Sequence, residues 1–267
     1  MTENRLQLTC FGARGSVSVS GEGFDIYGGG TSCYAVNFGK NRIFLDGGSG
    51  MVDPRTGDYS AEAAKEIVLI THMHLDHLIG LPYHDGLMKS GHGITIYVPF
   101  EAWIEKLDTL FSPPFWPLHL TDYAADLKIE TVPEVIDMDG CRVTHVMGSH
   151  PGDSFIYRLD YEDSSIVYAT DYEHDNGECD DRLVEFAHGA DILIYDGSYT
   201  PDEYEMYRGY GHSTPHKGAE LANRAGVKQL VITHHAPDHD DAFVKKMEHE
   251  IKTIFENSIF AYVGMVL

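Results

Sequence analysis

Short apolar, β-branched runs recur along the chain between Gly, Pro and polar turns, a rhythm that predicts short buried strands rather than long helices. Residues 32–38 and 42–46 predict a hairpin across Gly39, Lys40 and Asn41 that runs into the loop Asp46-Gly47-Gly48-Ser49-Gly50. Further strands are expected over 67–70, 94–98, 142–146, 155–159, 166–169, 192–195, 230–232 and 259–263, with a tight turn at 161–165. Helical patterns cover 101–110, 182–187, 215–225 and 242–255, and the apolar stretch 78–88 reads as the start of another. The helix over 215–225 carries the full set of boundary signals: Ser213 or Thr214 as N-cap, Pro215 in the first turn, Gly226 just past the end. Hairpins early and strand–helix alternation later predict a mixed sheet covered by helices, an α/β sandwich. Gly28, Gly29 and Gly30 do not form the GxGxxG pattern that a dinucleotide-binding fold requires.

Neither a repeat nor a low-complexity linker divides the 267 residues, so one domain over 1–267 is expected. At 43% hydrophobic and 23% charged, the composition is that of a globular protein. The charge changes the picture more: 19 basic against 42 acidic residues give −23, a field that repels phosphate backbones and anionic membranes. No apolar run is long enough to span a bilayer and residues 1–15 do not read as a signal peptide, so a cytoplasmic protein without a membrane partner is expected. Cys10, Cys33, Cys141 and Cys179 are widely spaced and contain no CxxC pair, which predicts reduced thiols.

Sixteen histidines are the outlier in composition. Four polar groups of metal-ligand type fall within Thr71-His72-Met73-His74-Leu75-Asp76-His77, directly after the strand at 67–70. Three histidines and an acid at fixed offsets arise by chance on the order of 0.01 times in a chain of this composition. In an extended loop His72 and His74 project to one side, and a turn after them swings Asp76 and His77 toward the same point. Imidazole nitrogens and carboxylate oxygens crowded at one strand end suit zinc or a similar divalent ion. Further candidates stand at other strand ends: His150 after 142–146, Asp171 after 166–169, His234 after 230–232.

With these residues, the glycine-rich Tyr27-Gly28-Gly29-Gly30-Thr31-Ser32-Cys33, the Asp46 loop and Gly211-His212-Ser213-Thr214, the chain resembles metallo-β-lactamase-fold hydrolases. Within these it is similar to the ribonuclease Z and cyclic-phosphodiesterase branch. The resemblance runs over nearly the whole chain and implies an αββα sandwich, two mixed sheets with outer helices and a dinuclear site at one edge. It implies two divalent ions per chain, zinc first, with manganese or iron as alternatives. His72, His74 and His150 would hold one ion, Asp76, His77 and His234 the other, and Asp171 would bridge them. Between the adjacent histidines, His234 is chosen over His235 because it directly follows Thr233 at the strand end. Asp76 and His212 are the catalytic candidates, His212 as a proton donor or charge stabiliser on a glycine-flanked loop. Asp196 either orients a neighbouring histidine or caps a loop.

The implied reaction is hydrolysis of a phosphodiester by hydroxide generated between the two ions. A small or cyclic phosphodiester is favoured over structured RNA, because the interval from His150 to Asp171, where the resemblance would place a basic RNA-binding arm, has room only for a hairpin. The alternatives are a thioesterase or lactamase on the same scaffold, a ribonuclease Z-like nuclease, and a diiron redox or sensor protein, the last disfavoured by His74 at the position of an acid. The oligomeric state is open, a homodimer included. The Phe111–Leu118 segment is expected to pack over the core, Asp240 and Asp241 to cap the last helix, and most of His84, His92, His119, His145, His174, His188, His216, His239 and His249 to face solvent.

Overall fold

The computed structural model describes residues 5–56 and 65–267. Its first sheet has six strands in chain order: β1 (Gln7–Gly12), β2 (Cys33–Phe38), β3 (Asn41–Leu45), β4 (Lys65–Leu69), β5 (Gly93–Val98) and β6 (Asp126–Thr131). The second runs β13-β12-β11-β10-β9-β8-β7, formed by β7 (Val135–Met138), β8 (Cys141–Met147), β9 (Phe155–Tyr161), β10 (Ser164–Ala169), β11 (Ile192–Asp196), β12 (Gln229–Thr233) and β13 (Ser258–Phe260). Both are mixed: β1-β2-β3 and β7-β8-β9-β10 pair antiparallel, β3-β4-β5-β6 and β10-β11-β12-β13 parallel.

Alternation within the strands builds three buried layers. Ile67 and Leu69 of β4 face Tyr157, Leu159 and Tyr168 across the space between the sheets, while Val68 and Ile70 turn outward against Trp103 and Leu107 of α1 (Ala102–Leu110). On the far side, Val167, Leu193 and Tyr195 meet α2 (Glu178–Phe186), α4 (Pro215–Ala225) and α5 (Asp241–Ile251). A strand covered on both faces reads as a continuous apolar run, as Ile67-Val68-Leu69-Ile70 does. The result is the expected αββα sandwich.

Thr214 caps α4 by accepting the Lys217 N–H, Pro215 fills the first turn, and Gly226 leaves the helix at φ +65°, a left-handed conformation glycine adopts without strain. Asp240 caps α5, but Asp241 instead accepts the N–H groups of Ile26 and Tyr27 and ties the glycine-rich opening to that helix. All four cysteines are free.

Three expectations need correction. Residues 78–88 do not begin a helix, because Gly80, Pro82 and Gly86 break the segment into short 3-10 turns over Leu81–Tyr83 and Asp85–Met88. Of the nine histidines expected mostly in solvent, only His188 and His249 are exposed. His84 is buried against Glu66, and His239 is buried against Glu203. The 111–118 segment covers the core only in part: Phe111 is buried, whereas Phe115 and Leu118 are exposed.

Candidate metal centre

Parallel strands bring their C-terminal ends to one edge of each sheet, and the polar residues that follow them collect there. Asp46 leaves β3, residues 71–77 leave β4, His150 follows β8, Asp171 follows β10, Asp196 ends β11 and His234 follows β12. Asp46, Asp171 and His234 adopt φ +60°, +51° and +61°. Left-handed backbone at a strand exit turns the chain sharply, in a conformation for which Asp and His are enriched among residues other than glycine.

Outer hydrogen bonds fix which ring atom each histidine presents. His77 Nδ1 lies 2.7 Å from Asp46 Oδ2 and His72 Nδ1 3.1 Å from Thr71 Oγ1. His150 Nδ1 lies 2.8 Å from the Gly211 carbonyl and His234 Nδ1 2.9 Å from Ser198 Oγ. With Nδ1 so engaged, all four direct Nε2 to a common centre. Gly211 is required by this approach, since a Cβ there would stand 2.1 Å from His150 Nδ1.

Among the described residues three groups of donors result, the third of them, Asp171, His212 and His234, overlapping the other two. The first is His72, His74, His150 and Asp171, and the second is Asp76, His77 and His234. His150 Nε2 is 3.2 Å from His74 Nδ1, and Asp171 Oδ1 is 3.6 Å from His72 Nε2. In the second group, Asp76 Oδ2 lies 3.3 Å from both His77 Nε2 and His234 Nε2. Asp171 reaches the first two groups: its Oδ2 is 3.1 Å from His77 Nε2 and its Oδ1 3.3 Å from His234 Nε2. Donors bound at about 2.0–2.2 Å around one tetrahedral ion stand about 3.3–3.6 Å apart, so these separations fit divalent ions. Nε2 of His72 and of His77 are buried without a hydrogen-bond partner, which points the same way.

The protonation pattern agrees. Burial works against charge on Asp171 and Asp76, but the adjoining imidazoles outweigh it and hold both carboxyls well below the usual range. Burial likewise opposes charge on His234, yet Asp171 and Asp76 push it up to about 10. His77 rises for the same reason, while burial keeps His72, His74 and His150 low. Buried carboxylates thus retain positive charge at the centre, as protons where no cation takes their place.

The structure therefore brings together all seven residues proposed from sequence as ligands. His235 points elsewhere: its Nε2 donates to the Ala261 carbonyl at 2.9 Å, and burial lowers it to about 3. His212 sits at the rim with Nδ1 2.9 Å from Asp196 Oδ2 and its ring stacked on His234. Asp196 accepts the N–H groups of Ser198 and Ser213, so it both caps this loop and orients His212. His212 and His234 line a cavity of ≈ 180 Å³.

Sequence reasoning missed Asp46 as a partner of the centre. Its Oδ2 also accepts from Tyr168 and Thr71, and the available signal was an acid opening a Gly-Gly loop at the exit of a strand parallel to β4. Ser198 behind His234, Ser16 donating its N–H to Asp76 at 2.7 Å, and Glu173 accepting from Gly209 and Gly211 were also missed.

A family model described as Beta-lactamase superfamily domain matches residues 41–235. Ribonuclease Z of Listeria innocua serovar 6a is 30% identical over 252 residues, an alignment covering 74% of this chain and 79% of that protein. Among solved structures, the metallo-beta-lactamase fold protein YhfI from Bacillus subtilis superposes with a TM-score of 0.75 at 21% identity, covering 98% of both chains. A diphosphatase of the PhnP family superposes with a TM-score of 0.67 at 20% identity over 98% of this chain and 97% of the other.

Proposed function

Because the chain belongs to the β-lactamase superfamily and carries the fold of its metal-dependent hydrolases, we propose that it hydrolyses a small or cyclic phosphodiester. His72, His74 and His150 would hold one divalent ion, Asp76, His77 and His234 a second, and Asp171 would serve both. When bound, such ions make hydroxide available near neutral pH and polarise phosphoryl oxygens.

The chain's own residues supply the rest. The observation that carries the reading is the His212–Asp196 pair, which opens into the cavity that His234 also lines. With Nδ1 held by Asp196, Nε2 of His212 is the atom that can pass a proton to a departing alkoxide or donate to a nonbridging oxygen. Asp76, fixed by the Ser16 N–H and flanked by His77 and His234, keeps negative charge beside the proposed ion site. Neither lactam nor thioester hydrolysis gives the His212 loop an evident task.

A second reading has support in the relatives named ribonuclease Z: the substrate would be RNA. Two features favour the small ester. The charge is −23, and β9 and β10 are joined by the turn at Glu162 and Asp163 with no room for a protruding arm.

Metal analysis with a substrate panel tests the proposal: bis-para-nitrophenyl phosphate, nucleoside cyclic phosphates, a precursor transfer RNA, nitrocefin and a glutathione thioester. Two ions per chain and phosphodiester turnover, abolished in His72→Ala and Asp171→Ala, are expected. Turnover confined to nitrocefin or the thioester, or full activity of metal-depleted Asp171→Ala, would overturn it.

A further inference from the structure

Tyr199, Tyr207 and Tyr210 extend the histidine cluster outward as a line of aromatic rings. The Tyr199 ring meets His212 edge-on at 5.8 Å, Tyr207 stacks on Tyr199 at 5.0 Å and 26°, and Tyr210 follows Tyr207 at 5.7 Å. Tyr199, Tyr207 and Met206 line the same cavity as His212 and His234. Aromatic rings at a surface ordinarily bury their faces, yet Tyr207 is 40% exposed and Tyr210 64%, beside the thioether of Met206.

The row is held firmly. Tyr207 ends the helix α3 (Pro201–Tyr207), whose first turn is closed by the reciprocal bonds of Thr200 and Glu203. Glu203 also lies 3.0 Å from His239 Nε2, and Tyr204 packs its ring on His174 at 4.2 Å. Glu173 fixes the next turn by accepting the N–H groups of Gly209 and Gly211 on either side of Tyr210. Fixed in line beside the cavity, with Tyr207 and Tyr210 open to solvent, the rings offer a surface on which a planar group can pack.

The cavity lining decides what the platform takes. His212 and His234 bring the proposed reacting phosphoryl group to this cavity, and Tyr199, Tyr207 and Met206 line the same space. A planar substituent on an ester held there therefore meets the rings of Tyr199 and Tyr207, with Tyr210 next in line. Resting on the phosphodiesterase reading above, we infer that the Tyr199–Tyr207–Tyr210 row stacks the base of a nucleoside phosphodiester and makes the enzyme selective for nucleotide over other phosphate esters. Base–aromatic stacking tolerates any base, so the selectivity is for a planar ring rather than for a sequence. Free nucleotides and single-stranded RNA ends both present that ring.

The test has a binding arm and a kinetic arm. In calorimetric titration, AMP should bind wild type roughly 10- to 100-fold more tightly than ribose 5-phosphate. The preference should fall at least several-fold in Tyr207→Ala and survive in Tyr207→Phe, which keeps the ring. In the kinetic arm, kcat/KM for adenosine 2′,3′-cyclic phosphate over the methyl riboside cyclic phosphate should follow the same order, with the change in KM. Adenylyl-adenosine, run beside them, separates the sources: a Tyr207-dependent preference for the cyclic nucleotide supports a free nucleotide, and one for the dinucleotide supports an RNA end. Equal binding of AMP and ribose 5-phosphate by wild type, or a preference untouched by Tyr207→Ala, overturns the inference even if phosphodiesters are turned over. Tyr207-dependent binding of AMP with no phosphodiester turnover would instead sink the phosphodiesterase reading and leave the platform standing.

Discussion

At the scale of single residues, the proposed division of labour between His212 and the ligand histidines has separable signatures. If His212 acts on the leaving group, His212→Ala should lower kcat by about 10²- to 10⁴-fold with metal content unchanged, since its Nδ1 is engaged by Asp196. The defect should shrink for a para-nitrophenolate leaving group, which departs without a proton. Equal defects on that ester and on an alkoxide ester would assign His212 to the nonbridging oxygen instead, and no defect on either would remove it from the reaction. The adjacent histidines make a second contrast. His234→Ala is expected to lose one ion per chain in elemental analysis, whereas His235→Ala should keep both, its Nε2 being bonded to Ala261. The reverse stoichiometry would exchange their roles.

At the scale of elements, Glu66 shows how a strand is joined to the turns that follow the ligand loop. From β4 its Oε1 stands 3.1 Å from His84 Nε2 and 3.2 Å from His92 Nε2, and its Oε2 is 3.6 Å from Arg42 of β3. Burial alone would raise its carboxyl, but His84, Arg42 and His92 hold it below the ordinary value. An unfolded glutamate titrates near 4.3, so the stabilisation is complete above that pH and fades as pH falls through the lower folded value. Glu66→Gln should therefore cost about 2 kcal/mol at pH 7, with the gap from wild type narrowing in urea titrations at pH 3.5. A gap independent of pH would mean that packing, not charge, is what Glu66 contributes.

The same scale shows what could be read from sequence. Strands covered on both faces, such as β4 and β10, were legible as apolar runs, and α4 announced itself through Thr214, Pro215 and Gly226. Of the edge strands, β13 was read but β6 and β7 were not: β6, Asp-Leu-Lys-Ile-Glu-Thr, has one half-buried face, and β7 is shorter still. In α3 only Tyr204 is buried, so no apolar stripe marked it, although Thr200, Pro201 and Glu203 form a start signal. The ligand candidates were readable because parallel strands deliver their exits to one edge. Asp46, Ser198 and Glu173 act through pairings between distant segments, which no local pattern encodes.

For the whole molecule, charge sets which substrates can approach. Two divalent ions would add 4 to a net charge of −23, leaving the protein strongly acidic. Like charges are screened by salt, with a Debye length of about 10 Å at 0.1 M. Any cleavage of a structured RNA should thus be slow at low ionic strength and speed up as salt is added, opposite to a protein that holds RNA through basic contacts. A small ester should respond far less. RNA cleavage that is fastest at low salt would show that a local field outweighs the global one.

The centre draws His72, His74, Asp76 and His77 from one sheet and His150, Asp171 and His234 from the other, so it has a place in time as well as in space. A chain emerging from the ribosome completes the first sheet long before β12 is made. If the ligands are those proposed, the second ion has no complete site until His234 has been synthesised and the sheets have docked. Activity would then switch on only at the end of folding, and an unfinished chain would be an inert one.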